Sequence, residues 1–113
     1  MTALRLSLPL LAALAYPASA GELNDYPTSA RADYVFACMK TNGETRIALE
    51  QCSCSIDVIA SILPYDRYVA GSTVASVSQQ PGQIGNMMRN VTTARDALAE
   101  LRRAQAEAQV RCF

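Results

Sequence analysis

The 113-residue sequence contains no histidine, and only one of its ten basic residues, Lys40, is a lysine. Without histidine, the chain cannot form a Ser-His-Asp or Cys-His catalytic site or a Cys-x-x-Cys-His haem attachment. Acidic residues also number ten. A chain with this charge balance lacks the basic face that nucleic acid and anionic membranes require. These absences predict a protein that is not an enzyme, carries no cofactor and binds no nucleic acid.

Long apolar runs are also scarce, and the longest lies at the N-terminus. Arg5 precedes an apolar stretch over residues 6–14, which is too short to anchor a protein in a bilayer. Ala18-Ser19-Ala20 then provides the small residues of a signal peptidase site. We therefore expect residues 1–20 to be a cleaved signal peptide and residues 21–113 to be a single periplasmic domain without a stable membrane anchor.

Four cysteines are present, at positions 38, 52, 54 and 112. Thiols stay reduced in the cytosol and oxidise to disulfides outside it, so export predicts two structural disulfides. A domain of this length buries only about 60–65% of its unfolded surface. Two crosslinks of roughly 2–4 kcal/mol each would make up for its small core.

The sequence predicts an all-α fold of four helices stapled by two disulfides. The helices are expected over residues 30–40, from Glu44 or Thr45 to the residue before Pro64, over 65–78 and over 86–111. Thr28 or Ser29 is the expected cap of the first helix, and Asn42-Gly43 its stop. Residues 79–85, which include Pro81-Gly82, are expected to form a loop.

The second predicted helix carries two apolar stripes on nearly opposite sides, at about 100° per residue. A helix that is apolar on two sides must be covered on two sides, which predicts a central position. The expected core residues of the first helix are Tyr34, Val35, Cys38 and Met39. The two stripes of the second helix are Leu49, Cys52, Ile56, Ile59 and Leu63, and Ile47, Cys54, Val58 and Ile62. The stripe of the fourth helix is Ile84, Met87 or Met88, Val91, Ala94, Leu98, Leu101, Ala108 and Cys112.

Helix geometry restricts the cysteine pairing. Cys52 and Cys54 lie about 200° apart on one helix, so they cannot bridge each other and should face different partners. Two pairings remain open. Cys38–Cys52 with Cys54–Cys112 is favoured over Cys38–Cys54 with Cys52–Cys112, because it keeps the axial offset between the first two helices smaller.

Three other sets of residues suggest chemistry. Glu50 and Asp57 share one helix face and, with Asp66, could bind calcium or a lanthanide through oxygen ligands. The favoured interpretation is that these carboxylates simply form the solvated edge of the helix. Tyr65, Asp66 and Tyr68 follow a helix break and are a candidate partner-binding patch. Cys52 and Cys54 could form a thiol-disulfide redox site, although a Cys-Ser-Cys inside a helix lacks the usual Cys-x-x-Cys spacing.

Three segments carry a family resemblance: residues 34–39 (YVFACM), 52–57 (CSCSID) and 63–69 (LPYDRYV). Together they resemble a family of small exported four-cysteine proteins of proteobacteria, over about Tyr34 to Val69. Members are often associated with periplasmic, PQQ-dependent alcohol dehydrogenase systems. The resemblance implies an accessory or binding role beside a quinoprotein dehydrogenase, with another periplasmic protein as partner.

Overall fold

The computed structural model describes residues 23–113, and this part of the chain is entirely helical, with no strand. Two disulfides crosslink the helices, so the predicted all-α, disulfide-stapled class is confirmed for these residues. The helices number five where the sequence predicts four. They are α1 (Thr28–Asn42), α2 (Arg46–Ile62), α3 (Tyr65–Ser78), α4 (Gln83–Asn90) and α5 (Thr92–Cys112).

Helix α2 forms the centre of the domain. Its N-cap is Thr45, whose hydroxyl oxygen accepts a hydrogen bond from the Ala48 amide at 3.1 Å. One face is fully buried and packs against α1 and α5. Its buried side chains are Ala48, Cys52, Ser55, Ile56, Ile59 and Ala60. The second predicted stripe is only partly covered, because Ile47 and Ile62 are exposed.

Helices α3 and α5 cross at Gly71. A Cβ atom at this position would lie 2.7 Å from the Leu101 Cβ and 2.9 Å from the Ala97 carbonyl oxygen. The α5 side of the seam is built largely from alanines, so the two backbones approach closely. Gly71, which weakens the helical signal in the sequence, is therefore the residue that permits this packing.

The predicted single helix over residues 86–111 is wrong in two respects. Helix α4 begins earlier, at Gln83, directly after Gly82 with φ of 88°, so the expected loop over residues 79–85 is shorter. The chain then breaks at Val91, which is extended with φ of −81° and ψ of 125°. Asn90 donates its side-chain amide to the Asn86 carbonyl at 2.7 Å, which occupies a carbonyl that a continuous helix would use.

The break also changes the apolar stripe. Ile84, Met87 and Val91 are exposed. A stripe with a strict seven-residue repeat rotates around a straight helix by about 20° for every seven residues. Along α5 the buried face is therefore formed by other, smaller residues. The side chains of α5 in the core are Ala94, Ala97, Leu101, Ala104 and Ala108.

The segment before α1 is held against the body of the domain. The Asn24 amide donates to the Ala60 carbonyl at 2.9 Å, and an Asp25 carboxylate oxygen accepts from the Tyr65 amide at 3.1 Å. Helix α1 starts at Thr28 with Pro27 before it, and neither Thr28 nor Ser29 caps it. Pro27 occupies the N-cap position, and a proline has no side-chain oxygen with which to bond the first amides of the helix.

The predicted signal peptide, residues 1–20, lies outside the described residues. Within residues 23–113, no single helix is long and apolar enough to cross a membrane. Helices α2 and α3 meet those criteria only when taken together, with a bend of 115° between them.

Candidate functional site

All four cysteines are oxidised in the structure. Cys38 is bonded to Cys52, with Cα atoms 5.8 Å apart, and Cys54 to Cys112, with Cα atoms 5.7 Å apart. These are the pairs that helix geometry favours from the sequence. Since Cys52 and Cys54 are bonded to different helices, they do not form one dithiol pair, and thiol-disulfide exchange would require breaking a structural crosslink.

The three carboxylates considered as cation ligands have different surroundings. Asp57 accepts from the Arg31 guanidinium at 2.6 Å, and Glu50 accepts from Arg46 at 3.2 Å. Asp66 lies on α3 and is exposed. Among residues 23–113, no group of three or more His, Cys, Asp or Glu side chains is placed to hold a metal ion. Each helix-α2 carboxylate therefore has a basic partner rather than a second carboxylate.

The candidate patch of Tyr65, Asp66 and Tyr68 is largely internal. Both tyrosine rings are half-buried and pack against Tyr26, with centroid distances of 5.1 Å and 5.0 Å. Asp66 alone is fully exposed. Tyr65 and Tyr68 therefore stabilise the fold through their contacts with Tyr26, and they leave little aromatic surface for a partner.

Tyr26 is the central residue of this aromatic cluster and was not among the residues singled out from the sequence. It is only 7% exposed, and its hydroxyl donates to the Leu63 carbonyl at 2.8 Å. The short apolar pair Leu23 and Tyr26 in an otherwise polar lead-in is the only sequence signal for it. That signal is weak because Leu63, Tyr65 and Tyr68, which Tyr26 contacts, are 37 or more positions away in the sequence.

Burial also affects ionisation of the tyrosines. Loss of solvation raises the pKa values of Tyr26, Tyr34 and Tyr68 above the ordinary value of about 10. The neighbouring Tyr68 raises the pKa of Tyr26 further, whereas a hydrogen bond with Ser55 opposes part of the increase in the pKa of Tyr34.

We expect the domain to unfold in alkali for this reason. A tyrosine whose pKa is raised in the folded state contributes stability below the unfolded pKa, near 10, and loses it as the pH rises through the folded pKa. The free energy of unfolding from urea titrations should be flat from pH 7 to 9 and fall above pH 10. Tyr26→Phe should flatten this decline. An identical decline in that variant would show that Tyr26 is not responsible.

A largely apolar groove of about 460 Å³ lies between α1 and α2. No residue of α1 is fully buried, although the helix is 15 residues long. Phe36 is 64% exposed, and the Lys40 ammonium lies over its ring at 4.6 Å. The apolar side chains that line the groove are Ala32, Val35, Phe36, Met39 and Ile56.

A cavity of about 590 Å³ lies between the end of α2 and helix α5. Four of its five charged side chains form two ion pairs: Arg67 donates to Glu100 at 2.8 Å, and Arg111 to Glu107 at 2.8 Å. The hydrogen bond from Arg67 lowers the pKa of Glu100 and keeps it ionised. Arg103, the fifth, forms no ion pair among the described residues, but the two carboxylates leave the lining with a net charge of only +1.

Comparison with known proteins returned no matching family model, no matching curated protein and no matching solved structure. Within residues 23–113, both disulfides are closed, and the rest of the domain covers the apolar stripe of α1 only in part.

Proposed function

We propose that the protein is a non-enzymatic accessory protein of the periplasm, which binds another periplasmic protein through the exposed face of α1. The family resemblance makes a quinoprotein alcohol oxidation system the expected setting. The two disulfides are compatible with an oxidising compartment outside the cytoplasm.

The observation that carries the proposal is the apolar stripe along α1. Ala32, Val35, Phe36 and Met39 follow one another at the i, i+3, i+4 and i+7 spacing of a helix face that packs against another helix. Val35 and Met39 are half-buried, but Phe36 points largely into solvent. A stripe with this spacing that the rest of the domain covers only in part is typical of helix-in-groove recognition.

The disulfide explains how α1 keeps this face uncovered. Helix α1 packs mainly against α2, and Cys38–Cys52 joins the two helices covalently. The Arg31–Asp57 ion pair is a second tie. Because the crosslink holds α1 in place, the helix does not need to bury Phe36 to stay attached.

The proposal is tested by measuring partner binding with Phe36→Asp. A central aromatic anchor typically contributes 2 kcal/mol or more to an interface, so the dissociation constant should rise about 30-fold or more. Val110→Asp is the matched control, since Val110 is 83% exposed on α5, outside the groove. A photocrosslinker placed at position 36, and separately at position 110, would identify the periplasmic partner by mass spectrometry.

The outcome that contradicts the proposal is equal crosslinking, or equal affinity, at the two positions. Circular dichroism and melting temperature should match the unaltered protein in both variants, because both sites are exposed. If the partner recovered is a quinoprotein dehydrogenase, alcohol oxidation in a strain lacking this protein should be restored by the Val110→Asp variant and not by Phe36→Asp.

A further inference from the structure

A second cavity, of about 320 Å³, opens between the end of α3, helix α4 and helix α5. It shares no residue with the α1 groove. Its volume is at the small end of the range for small-molecule sites, about 300–1,000 Å³. The apolar side chains that line it are Val74, Ala75, Met88 and Leu98.

Three arginines, Arg89, Arg95 and Arg102, complete the lining, and no carboxylate is among the lining residues. None of the three forms an ion pair within residues 23–113. The cavity therefore concentrates positive charge that the rest of the domain does not neutralise.

The arrangement of charge on α5 explains how this happens. Arg95 and Arg102 are seven residues apart and project within about 20° of each other. Asp96 and Glu100 lie about 100° or more around the helix, on the side that faces Arg67. Helix α5 thus directs its acidic residues toward α3 and two unpaired guanidinium groups toward the cavity.

Ser78 provides an independent observation at the same place. Ser78 lines the cavity, and its hydroxyl oxygen is buried and has no hydrogen-bond partner, the one such side-chain atom in the part of the chain described here. The neighbouring Arg89 guanidinium donates to the Ser78 carbonyl oxygen and not to its hydroxyl. A buried hydroxyl without a partner destabilises the free protein, so its presence here indicates a group that bonds it in the bound state.

We propose that this cavity binds a small organic anion with an apolar body. The guanidinium groups hold its carboxylate or phosphate, Ser78 donates a hydrogen bond to it, and the apolar body packs on Met88 and Leu98. Arginine is suited to both kinds of anion because its planar fork bonds two oxygens at once. The site functions independently of partner binding at α1.

Octanoate and octyl phosphate are the probes, and 1-octanol is the uncharged control of equal chain length. We expect one or both anions to bind the intact protein with a submillimolar dissociation constant by calorimetry, and octanol at least tenfold more weakly. The tighter anion identifies the headgroup. In NMR spectra, the Met88 methyl and the Ser78 amide should shift, while Phe36 resonances should not.

The variant Arg95→Gln with Arg102→Gln should weaken anion binding at least tenfold without loss of the fold, since both side chains are exposed. Arg103→Gln, on the same helix but outside this cavity, is the matched control and should leave affinity unchanged. Ser78→Ala should weaken binding while preserving or raising the melting temperature, a combination that a purely structural serine would not give.

Three results would overturn the proposal. The first is an absence of binding for both anions up to 10 mM, about ten times the upper limit expected. The second is octanol binding as tightly as octanoate, which would make the cavity a nonspecific apolar site. The third is unchanged affinity in the double arginine variant. None of them bears on capture of a partner by α1.

Discussion

Replacing Cys54 and Cys112 together with alanine is expected to lower the free energy of unfolding by about 4 kcal/mol. The bond closes a loop across 58 residues. A crosslink over a loop of this length lowers the conformational entropy of the unfolded chain by an amount that corresponds to this free energy. The residues that α5 buries in the core are mostly alanines, so the apolar area that they bury is small. Burial of α5 therefore compensates little for the stability lost with the crosslink. A loss of this size is a large part of the 5–15 kcal/mol typical of a domain.

The paired variant Cys38→Ala with Cys52→Ala is the control, with an expected loss of about 3 kcal/mol for a loop across 14 residues. Urea titrations followed by circular dichroism would rank the two. A greater loss in the Cys38 and Cys52 variant would mean that native packing around Cys52, which is completely buried, outweighs loop length. Equal losses would contradict the loop-closure argument.

Tyr26→Ala is expected to destabilise the domain by about 3–5 kcal/mol, the range for removal of a large buried aromatic ring. The ring fills the corner between α2 and α3, and its loss would leave Tyr65 and Tyr68 without their common contact. The hydroxyl contributes a smaller amount. Tyr26→Phe keeps the ring but leaves the Leu63 carbonyl without its donor, at about 0.5–1.5 kcal/mol.

Thermal and urea unfolding of both variants, with Tyr65→Phe as a control, would separate ring from hydroxyl. Tyr65→Phe retains its ring and should change stability by less than about 0.5 kcal/mol. If Tyr26→Ala were no worse than Tyr26→Phe, the Tyr26 ring would add nothing to the hydrogen bond of its hydroxyl, and it would not be part of the core.

The elements predicted best from the sequence have clear local boundaries. Helix α3 has the predicted limits because Pro64 ends the preceding helix and the polar run after Ser78 ends it. Helix α2 begins at Arg46, one residue after Thr45, which is the later of its two predicted starts. The rotation between Cys52 and Cys54 excludes one of the three cysteine pairings, and the smaller axial offset between the first two helices favours the pairing observed.

Features that depend on distant contacts could not be predicted in this way. The break at Val91 lies inside an apolar repeat, and only packing against α3 distinguishes one long helix from two. Tyr26 contacts residues of α2 and α3 that are remote in sequence, so the periodicity of apolar residues does not predict its burial. The α1 groove was missed because Val35 and Met39 were expected to be core, whereas the structure leaves them half-buried beside the exposed Phe36.

The attachment of two crosslinks two residues apart on α2 has a consequence for how the protein matures. Pairing Cys38 with Cys54 in place of Cys52 would change the loop by only two residues, an entropic difference of about 0.1 kcal/mol. Loop-closure entropy in the unfolded polypeptide therefore hardly distinguishes the correct oxidised isomer from its competitor. Discrimination depends on α2 being helical when its thiols react, or on an isomerase that reshuffles wrong bonds until the helix has formed. The order of oxidation and helix formation, rather than final stability, then determines the yield of correctly bonded protein.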